Sequence, residues 1–473
     1  MVHHSQNDAS GQPAPPLVGV SQKQPIAAIA TASGRGSVGV IRISGSTLEA
    51  FYVELSGGDP PKPRYANLQT IKEADGTVID EAIVIFFEGP HSYTGEDVIE
   101  IQGHGGPAVM QLLLQHCLRL GQTIGLRLAE PGEFTLRAYL NNKMDLAQAE
   151  AVADMIDASS GAAAKAAAAS LSGAFSREID KLAQQILSIR TLVEATLDFP
   201  EEEIDFIEKY QVKARLLEIE RQLKQTLTVS EQSNTLREGL KVVLAGEPNV
   251  GKSSLMNAIC SQDVAIVTDI AGTTRDRIRE ALVISGLPVV ITDTAGLRET
   301  EDQIEKIGID RSWQAIAEAD LILDIMDASQ PQSSLQKWQQ QAQLKDKKTL
   351  RVLNKCDLLP KPLTPEASDN ETLFVSAKSG FGLERLKARI LESAGLELGE
   401  VSPWLGRQRH IEALKLTVAH LACAIEHVNQ NDQVLDLVAE ELRLAHIQLG
   451  TITGQVTVED LLGNIFSNFC IGK

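Results

Sequence analysis

Short apolar runs separated by turn residues characterise the chain from about residue 25 to residue 140. The runs Ile26–Ala30, Val38–Ile43, Ala82–Phe87 and Val98–Ile101 have the length and composition of β-strands. Pro107–Leu120 instead places apolar residues three and four positions apart, which is the spacing of an amphipathic helix. We therefore expect residues 25–140 to form an α+β domain.

From residue 141 the pattern changes to long stretches with few turn signals and recurrent i, i+3, i+4 apolar spacing. This spacing predicts helices over residues 141–238, and the alanine run Ala162–Ala169 is typical of close helix packing. Residues 399–473 show helical spacing again after Pro403. Because each helical stretch needs a partner for its apolar face, we expect the two to pair into one helical domain.

Between these helical stretches, residues 239–398 alternate strand-like runs with helical segments. Such alternation is typical of a doubly wound parallel sheet. The strand-like runs begin at Lys241 and recur at residues 281–285, 289–292, 321–326, 350–353 and 372–375. The pattern thus predicts a multidomain α/β protein in which this sheet domain is inserted into the helical domain.

Net charge, the length of apolar runs and the spacing of cysteines argue against several classes of protein. The 473 residues include 44 Lys and Arg against 63 Asp and Glu, so the net charge is −19, which argues against loose nucleic-acid binding. No apolar run reaches the ~18–20 residues of a membrane span, which predicts a soluble protein without a membrane partner. Five cysteines without C-x-x-C spacing favour a reducing, cytoplasmic location over a zinc site. Residues 1–24 are polar and Pro-rich, which predicts a disordered tail.

The segment Gly246–Ser253 fits the pattern G-x-x-x-x-G-K-[ST] and follows a short apolar strand. Its glycines allow backbone N–H groups to surround a phosphate, Lys252 can reach the outer phosphates, and the Ser253 hydroxyl can hold Mg²⁺. The further motifs downstream argue against a chance match. The loop residues that we expect to bind nucleotide are Asn249, Val250, Gly251, Lys252, Ser253 and Ser254.

The segment Asn354-Lys355-Cys356-Asp357 indicates guanine rather than adenine. A carboxylate at Asp357 can accept from both N1–H and the 2-amino group of guanine, a donor pair that adenine lacks. Asn354 can bond to the guanine edge, and the aliphatic stem of Lys355 can cover the ring. After the next strand, the loop of Ser376, Ala377 and Lys378 can offer an N–H to guanine O6. The order and spacing match the fourth and fifth motifs of small G proteins.

Asp293 lies at the end of a strand, where we expect it to contact Mg²⁺ through a water molecule. Gly296 lies just beyond that end, where we expect its N–H to contact the γ-phosphate. The loop of Gly272–Asp276 occupies the position of a switch segment, and one of its threonines, Thr274 by preference, is expected to complete the Mg²⁺ shell. In Ras-like proteins a Gln follows the glycine and orients the attacking water. Here Leu297 follows, so another group must position water.

Two residues are candidates for the missing catalytic functions. Glu305 follows the second switch and can orient water, although a solvated helix charge is the alternative and Glu299, Glu301 and Asp302 are rivals. Asn249 can direct its amide oxygen to a cation beside the phosphates, where K⁺ would supply positive charge. Turn formation after Pro248 is the alternative explanation of Asn249.

The combination of motifs resembles the MnmE (TrmE) family of tRNA-modification GTPases, and the resemblance spans nearly the whole chain from about Pro25. It is carried by several segments besides the nucleotide motifs. They are GRGSVGVIRISG (34–45), SYTGEDVIEIQGHGG (92–106), PGEFTLRAYLNNKMDLAQAEAVADMIDASS (131–160), DIAGTTRD (269–276) and the terminal CIGK (470–473).

This resemblance implies a Ras-like P-loop GTPase domain inserted into a helical domain, after an α+β folate-binding-like domain that forms a homodimer. Basic residues suit folate carboxylates, and an acidic residue suits the pterin N–H groups. The matching positions for a 5-formyl- or methylene-tetrahydrofolate are Arg42, Glu100, Lys143 and Lys473. Singly, each such residue is more often a surface ion-pair member.

The resemblance further implies K⁺-dependent GTP hydrolysis once the G domains of two subunits meet. Glu305 matches the water-orienting glutamate, and the matching K⁺ positions are Asn249, Thr268, Ile270 and Thr273. An FAD-containing partner, MnmG, is implied as well, in a heterotetramer that installs a 5-carboxymethylaminomethyl group on the wobble uridine of tRNA.

Cys470 matches the family's near-terminal cysteine, for which a role in tRNA modification and an inert buried thiol are the two alternatives. Two other functions compete with the whole interpretation. One is a regulatory or ribosome-assembly GTPase without one-carbon chemistry. The other is a folate enzyme whose G domain only regulates.

Overall fold

The computed structural model of the chain describes residues 24–198, 211–260, 279–293, 313–331, 347–360, 372–393, 402–429, 434–456, 459–467 and 469–472. It divides into two compact units. The first comprises Met1–Ala153 and Gly450–Lys473, and the second comprises Asp154–Leu449. The terminal segments of the chain therefore belong to one unit, although they are far apart in sequence.

The strands are numbered in chain order. They are β1 Ile26–Ile29, β2 Val38–Gly45, β3 Asn67–Lys72, β4 Val78–Phe87, β5 Asp97–His104, β6 Arg127–Leu128, β7 Leu240–Ala245, β8 Arg279–Ile284, β9 Leu287–Asp293, β10 Leu321–Asp327, β11 Lys348–Asn354 and β12 Thr372–Phe374.

The helices follow the same convention. They are α1 Glu49–Leu55, α2 Pro107–Leu120, α3 Glu133–Leu140, α4 Leu146–Asp157, α5 Gly161–Leu171, α6 Ala174–Asp198, α7 Val212–Glu238, α8 Lys252–Cys260, α9 Leu383–Ser393, α10 Gln408–Val428, α11 Leu435–Thr453 and α12 Glu459–Ser467.

The first unit contains a six-stranded sheet in the order β3-β4-β5-β2-β1-β6. Its neighbouring strands are antiparallel except for β1 and β6. One face of the sheet packs with α1 and α2 around a buried core that includes Ile41, Ile99 and Leu113. The strands predicted in this region and the predicted helix over Pro107–Leu120 are confirmed. The strand ends differ from the predicted runs by a few residues, most at β4, which begins four residues earlier, and at β5, which ends three residues later.

The second unit contains a six-stranded sheet in the order β12-β11-β10-β7-β9-β8. All neighbouring pairs are parallel except β8 and β9. The predicted parallel sheet is confirmed from β12 to β9, and β8 departs from it as an antiparallel edge strand. The reason lies in the connection, since Ser285 and Gly286 both have positive φ, of 49° and 92°, and a two-residue turn joins only antiparallel strands.

The helices of the second unit hold the sheet domain at both of its ends. On one side α7 ends at Glu238, and β7 begins two residues later. On the other side the chain returns through residues 402–407, where backbone N–H groups of Leu405 and Gly406 donate to the hydroxyls of Ser170 and Ser233 at 2.9 and 2.8 Å. The sheet domain is thus an insertion between helices, as predicted.

Close packing explains the small residues in this unit. Ala166 and Ala167 of α5 are fully buried and belong to the same apolar core as the strands β7, β9 and β10. A Cβ at Gly406 would lie 2.3 Å from the carbonyl oxygen of Ser230 in α7. Helices α7 and α10 also pack together, which agrees with the predicted pairing of the two helical stretches.

No helix in the described part of the chain combines the length and apolarity that crossing a membrane requires. No cluster of three His, Cys, Asp or Glu side chains there has the arrangement of a metal site.

Candidate functional site

The predicted phosphate loop connects β7 to α8 at the carboxyl edge of the second sheet. The strand is buried apart from Lys241, and the loop follows Ala245 directly. Asn249 and Gly251 have φ values of 65° and 93°, so the loop curls through two left-handed positions. A Cβ at Gly246 would lie 2.4 Å from the carbonyl oxygen of Ile325, which only glycine avoids. The loop therefore has the tight curvature that a phosphate cradle needs.

Lys252 lies inside this curve. Its Nζ donates to the carbonyl oxygens of Gly246 and Glu247 at 2.9 and 3.4 Å. Ser253 and Ser254, in the first turn of α8, are exposed. The loop therefore presents one ammonium group and two serine residues at the start of a nine-residue helix, an arrangement that favours an anion.

Asn354, the last residue of β11, joins two loops of the site. Its side chain is 1% exposed, its Nδ2 donates to the carbonyl oxygen of Val250 at 2.9 Å, and its Oδ1 accepts from the N–H of Ala377 at 3.1 Å. A Cβ at Gly251 would lie 2.5 Å from Asn354 Nδ2, so the glycine is needed for this approach. The contact that we predicted from Asn354 to the guanine edge stays a prediction. The structure shows the amide holding the phosphate loop against the second guanine loop.

Lys355 extends the same connection. Its φ is 62°, and its Nζ donates to the carbonyl oxygen of Asn249 at 2.6 Å and to Asp327 Oδ2 at 2.9 Å. Hydrogen bonds from Ser329 and then from Lys355 lower the pKa of Asp327 to about 2, so this carboxylate is charged at neutral pH. The two acceptors fix the ammonium end of the Lys355 side chain, which suits an aliphatic stem that covers a flat base.

Sequence reasoning missed Asp327. It ends β10, and the parallel register places it beside Asn354 of β11. Because the carboxyl ends of parallel strands meet at one edge, an aspartate that closes a buried strand was the available signal.

Asp357 and Ser376 meet at the predicted guanine pocket. Ser376 Oγ donates to Asp357 Oδ1 at 2.6 Å and accepts from the N–H of Ser379 at 3.1 Å. The serine is fully buried, while Asp357 is exposed and Lys378 lies exposed on the same loop. The hydrogen bond from Ser376 thus orients the Asp357 carboxylate, which stays exposed to solvent, as recognition of guanine requires.

Several predicted site residues lie outside the described part of the chain. They are Thr268, Ile270, Thr273, Thr274, Gly296, Glu305 and Lys473. Asp293 is described only through its backbone, as the last residue of β9, in register with Leu244 of β7. That register places the strand end beside the strand that leads into the phosphate loop.

A second polar site lies in the first unit, on β2 and β5. The register pairs Arg42 with Glu100, and Arg42 Nε and Nη2 donate to Glu100 Oε1 at 3.0 and 2.9 Å. The guanidinium also lies over the rings of Tyr93 and Phe134, at 5.3 and 5.9 Å from their centroids. Both charged side chains are about one-fifth exposed, so the pair remains open to a ligand.

The C-terminal segment reaches this second site. The carbonyl oxygen of Gly472 accepts from Arg42 Nη1 at 3.5 Å. Gly472 has a φ of 98°, and a Cβ there would lie 2.5 Å from the carbonyl oxygen of Ile29, so glycine is required at this crossing. Cys470 is exposed, which rules out the alternative of a buried thiol. Lys143, the remaining described residue of the predicted folate set, donates to the carbonyl oxygen of Pro90 at 2.8 Å.

Sequence reasoning also missed a buried ionic network around Arg137 in the same unit. Arg137, which is 4% exposed, donates to Glu96 and Glu133 at 3.0 and 2.8 Å. Burial alone would raise the pKa of Glu133, but hydrogen bonds from Arg127, the Glu130 backbone and Arg137 lower it below its ordinary value. The i, i+4 spacing of Glu133 and Arg137 on α3 was a signal for that one pair. It gives no signal for Glu96 and Arg127, which come from other segments.

The phosphate loop, the oriented Asp357 and the lysine-covered pocket at one sheet edge define a guanine-nucleotide-binding protein of the P-loop class. Two family models match the chain. The model of the MnmE helical domain matches residues 146–470, and that of the GTP-binding protein TrmE N-terminus matches residues 25–143.

Curated relatives named tRNA modification GTPase MnmE match almost the full chain. The protein of Bordetella avium is 55% identical over 454 residues, covering 96% of this chain and 100% of that protein. The proteins of Ralstonia nicotianae and Burkholderia cenocepacia are 52% and 50% identical, covering 95% and 96% of this chain and 96% and 99% of theirs. The chain belongs to the MnmE (TrmE) family of tRNA modification GTPases.

Among solved structures, the G domain of the FeoB iron transporter of T. maritima is 28% identical, covering 33% of this chain and 98% of that chain. The TM-score of 0.25 is too low for this likeness to carry an argument. Family membership therefore rests on the family models and the curated relatives.

Proposed function

We propose that this protein hydrolyses GTP in a K⁺-dependent reaction, activated when two G domains meet. With an FAD-containing partner, MnmG, it uses this reaction to install a 5-carboxymethylaminomethyl group on the wobble uridine of tRNA. The observation that carries the proposal is the presence, in one chain of this family, of an oriented guanine pocket and of the Arg42–Glu100 pair on a separate domain. A GTPase with a purely regulatory role would have no use for the second site.

The donor set of the phosphate loop fits GTP with Mg²⁺. Lys252 supplies charge toward the outer phosphates, and backbone N–H groups of residues 249–254 supply hydrogen bonds. The Ser253 hydroxyl and Thr274 are the proposed Mg²⁺ ligands, with Asp293 contributing through water. Mg²⁺ neutralises charge that develops on the transferred phosphoryl group. Lys252→Ala is expected to abolish GTP turnover, measured as phosphate release, and to abolish tRNA modification with it. Modification that persisted would favour the folate enzyme whose G domain only regulates.

The K⁺ part of the proposal rests on Asn249 and on the absence of a water-orienting glutamine, since Leu297 follows Gly296. Asn249 is exposed at a left-handed position, and its backbone oxygen is already engaged by Lys355 at 2.6 Å. Its side chain is therefore the group available to a cation, together with Thr268, Ile270 and Thr273. Glu305 is the proposed water-orienting residue.

Hydrolysis rates in K⁺ and Na⁺ at equal ionic strength test this part. We expect several-fold faster hydrolysis in K⁺, and we expect Asn249→Ala to erase the difference. Asn257→Ala is the matched control, because Asn257 is exposed on α8 outside the loop. Equal rates in the two salts for the unaltered protein would contradict K⁺ dependence.

The folate part rests on Arg42, Glu100, Lys143 and Lys473. The guanidinium of Arg42, in a side chain that is about one-fifth exposed, suits a carboxylate, and Glu100 suits the N–H groups of a pterin. Calorimetric titration of 5-formyl-tetrahydrofolate into the full chain is expected to show micromolar binding that Arg42→Met removes. Arg119→Met serves as control, because Arg119 pairs with Glu73 at 2.5 Å on the exposed surface of the same domain. No binding to the unaltered chain would favour a GTPase without one-carbon chemistry.

Wobble-uridine analysis of tRNA tests the complete proposal. Cells that lack this protein are expected to lose the 5-carboxymethylaminomethyl group, and the intact gene is expected to restore it. An unchanged nucleoside profile in the deficient cells would refute the proposed modification, while leaving the GTPase assignment of the family intact.

A further inference from the structure

A turn at residues 62–65 carries two cations and an aromatic ring on the surface of the first unit. The turn is fixed to the end of β4, since Pro63 forms a β-bridge with Phe86 and the Arg64 N–H donates to the Phe86 carbonyl oxygen at 2.7 Å. A proline restricts the backbone further, because its ring fixes φ. The exposed side chains of the turn are Lys62, Arg64 and Tyr65. They project from a backbone that is ordered before any partner binds.

Arg64 holds its guanidinium over an aromatic ring. The Cζ atom lies 5.6 Å from the centroid of the Phe87 ring, and Nη2 donates to the carbonyl oxygen of His91. The φ of Arg64 is 61°, a left-handed conformation that costs free energy in residues other than glycine. Arg64 is nevertheless exposed, so a partner meets a cation whose position is already set.

Lys62 and Tyr65 form a second cation–aromatic pair within the same turn. The Lys62 Nζ lies 5.7 Å from the centroid of the Tyr65 ring. Tyr65 is 58% exposed, so much of the ring is open to solvent. Surfaces that bind single-stranded nucleic acid combine these two groups, because cations attract the phosphates and aromatic rings stack on the bases.

The charge around the turn favours an anionic partner. Neither Lys62 nor Arg64 forms an ion pair with a carboxylate within the part of the chain that the structure describes. In the sequence, Glu88 is the only acidic residue among residues 60–66 and 87–93. The whole chain has a net charge of −19 and therefore repels a polyanion at long range. A polyanionic substrate needs a locally positive surface on such a protein, and this turn supplies one.

One loop connects the turn to the Arg42–Glu100 pair. Arg64 donates to the His91 carbonyl oxygen, and two residues further along the chain the Tyr93 ring lies 5.3 Å from the Arg42 guanidinium. Two residues span at most ~7 Å. An RNA strand on the turn would therefore lie close to the pair at which one-carbon chemistry is proposed.

We propose that the turn at residues 62–65 docks an unpaired strand of the RNA substrate. Lys62 and Arg64 contact phosphates of that strand, and Tyr65 stacks on one of its bases. A duplex keeps its bases stacked inside the helix, and an acidic peptide has no flat base, so neither uses the ring. The inference rests on the proposed function, because it takes RNA as the substrate.

Fluorescence anisotropy with the full-length protein tests the role of charge. The probe is a labelled RNA hairpin with a uridine-containing loop, titrated at several KCl concentrations, and the same RNA annealed to its complement is the comparison. We expect the hairpin to bind more tightly than the duplex. The double variant Lys62→Gln, Arg64→Gln should bind more weakly, with a slope of log affinity against log salt that is smaller by about 1.4, since each phosphate contact on a single strand contributes about 0.7.

Tyr65→Leu separates stacking from charge. The exposed site accepts another apolar side chain, so the fold should be retained while the ring is lost. We expect the affinity for the hairpin to fall about fivefold or more at every salt concentration, with an unchanged salt slope. The matched control is the double variant Lys72→Gln, Arg119→Gln, which removes two charges elsewhere on the first unit, where Arg119 pairs with Glu73. Its affinity and salt slope should equal those of the unaltered protein.

Equal affinities of the two double variants would refute the docking surface. Weaker binding of the Lys62→Gln, Arg64→Gln variant without any effect of Tyr65→Leu would overturn the inference in favour of a surface for any polyanion. Competition by polyglutamate as effective as that by unlabelled hairpin would indicate an acidic peptide instead.

The failure of this inference can be told from the failure of the proposed function. If the turn variants bind the hairpin as the unaltered protein does, while tRNA from deficient cells lacks the modification, the inference fails alone. If deficient cells keep the modification, the proposed function fails, and the anisotropy results still decide whether the turn binds RNA.

Discussion

Replacement of Asn354 by alanine is the change whose consequences the structure specifies most fully. The amide of Asn354 is buried and bridges the phosphate loop, at the carbonyl oxygen of Val250, to the guanine loop, at the N–H of Ala377. Asn354→Ala removes both bonds and leaves two backbone groups without partners. We therefore expect both loops to loosen in the nucleotide-free protein.

The magnitude follows from the surroundings of those groups. Val250 is 7% exposed, so leaving its carbonyl oxygen unsatisfied should cost about 1–3 kcal/mol. Ala377 is half-buried, so water can replace part of its bond, and the loss there should be about 1 kcal/mol. The free energy of local opening should fall by about 2–4 kcal/mol, which corresponds to at least a roughly 30-fold loss of amide protection.

Hydrogen–deuterium exchange of peptides that contain residues 246–251 and 376–380 measures this loss directly. Titration with GDP is the second measurement, and we expect affinity to fall about tenfold or more because the loops are no longer held in the binding geometry. Asn141→Ala is the matched control. It removes an amide-to-carbonyl bond in the other compact unit and should leave both measurements unchanged.

Unchanged protection of both loops in Asn354→Ala would refute the reasoning. In that case the amide would not hold the loops together, and its importance would lie only in direct contact with guanine. Reduced affinity with normal protection would point to the same conclusion.

Three further outcomes are expected. Gly382→Ala should destabilise the second unit by more than about 2 kcal/mol in denaturant unfolding. The reason is that Gly382 has a φ of 76° and that the new Cβ would lie 2.2 Å from the carbonyl oxygen of Phe374 in β12. An unchanged unfolding free energy would contradict this. Glu133→Gln should reduce stability most at neutral pH, because hydrogen bonds from Arg127 and its neighbours lower the pKa of Glu133 in the folded protein. The stabilisation by the Glu133 carboxylate is therefore complete above about pH 4.5, the ordinary pKa, and disappears as the pH falls through the lower pKa of the folded state. A pH-independent difference in unfolding free energy would argue against it. Iodoacetamide should modify the exposed Cys470 in the native protein but not Cys117, whose pKa burial raises to about 12, and mass spectrometry of native and unfolded samples distinguishes the two.

Much of the nucleotide site is predictable because its chemistry depends on short segments. The phosphate loop needs glycine, lysine and serine at fixed offsets, and the segment Asn354–Asp357 places its donors and acceptors on one strand end. Helix α2 was likewise predictable to its end residues, since apolar spacing, a proline at its start and a glycine after its end all agree.

Features that join distant segments gave no comparable signal. Asp327 reaches Lys355 only because β10 and β11 are parallel neighbours. The antiparallel edge strand β8 depends on the two-residue turn of Ser285 and Gly286. That dipeptide signals a turn, but the strand-like runs on either side of it do not show which way the two strands pair. The role of Asn354 as a bridge between loops also required the fold, since the residue and Val250 are separated by 104 positions.

The amino-acid sequence by itself determined that this protein has a guanine-nucleotide site inside a helical domain, because each motif there is read within a few residues. Only the tertiary structure decided which contacts the C-terminal residues make in the first unit. It places Gly472 against Arg42 and Ile29, and it brings Thr453 to Tyr139 around a cavity. The physical reason is that spacing reports which face of an element is apolar, whereas contacts between remote elements depend on how those faces pack.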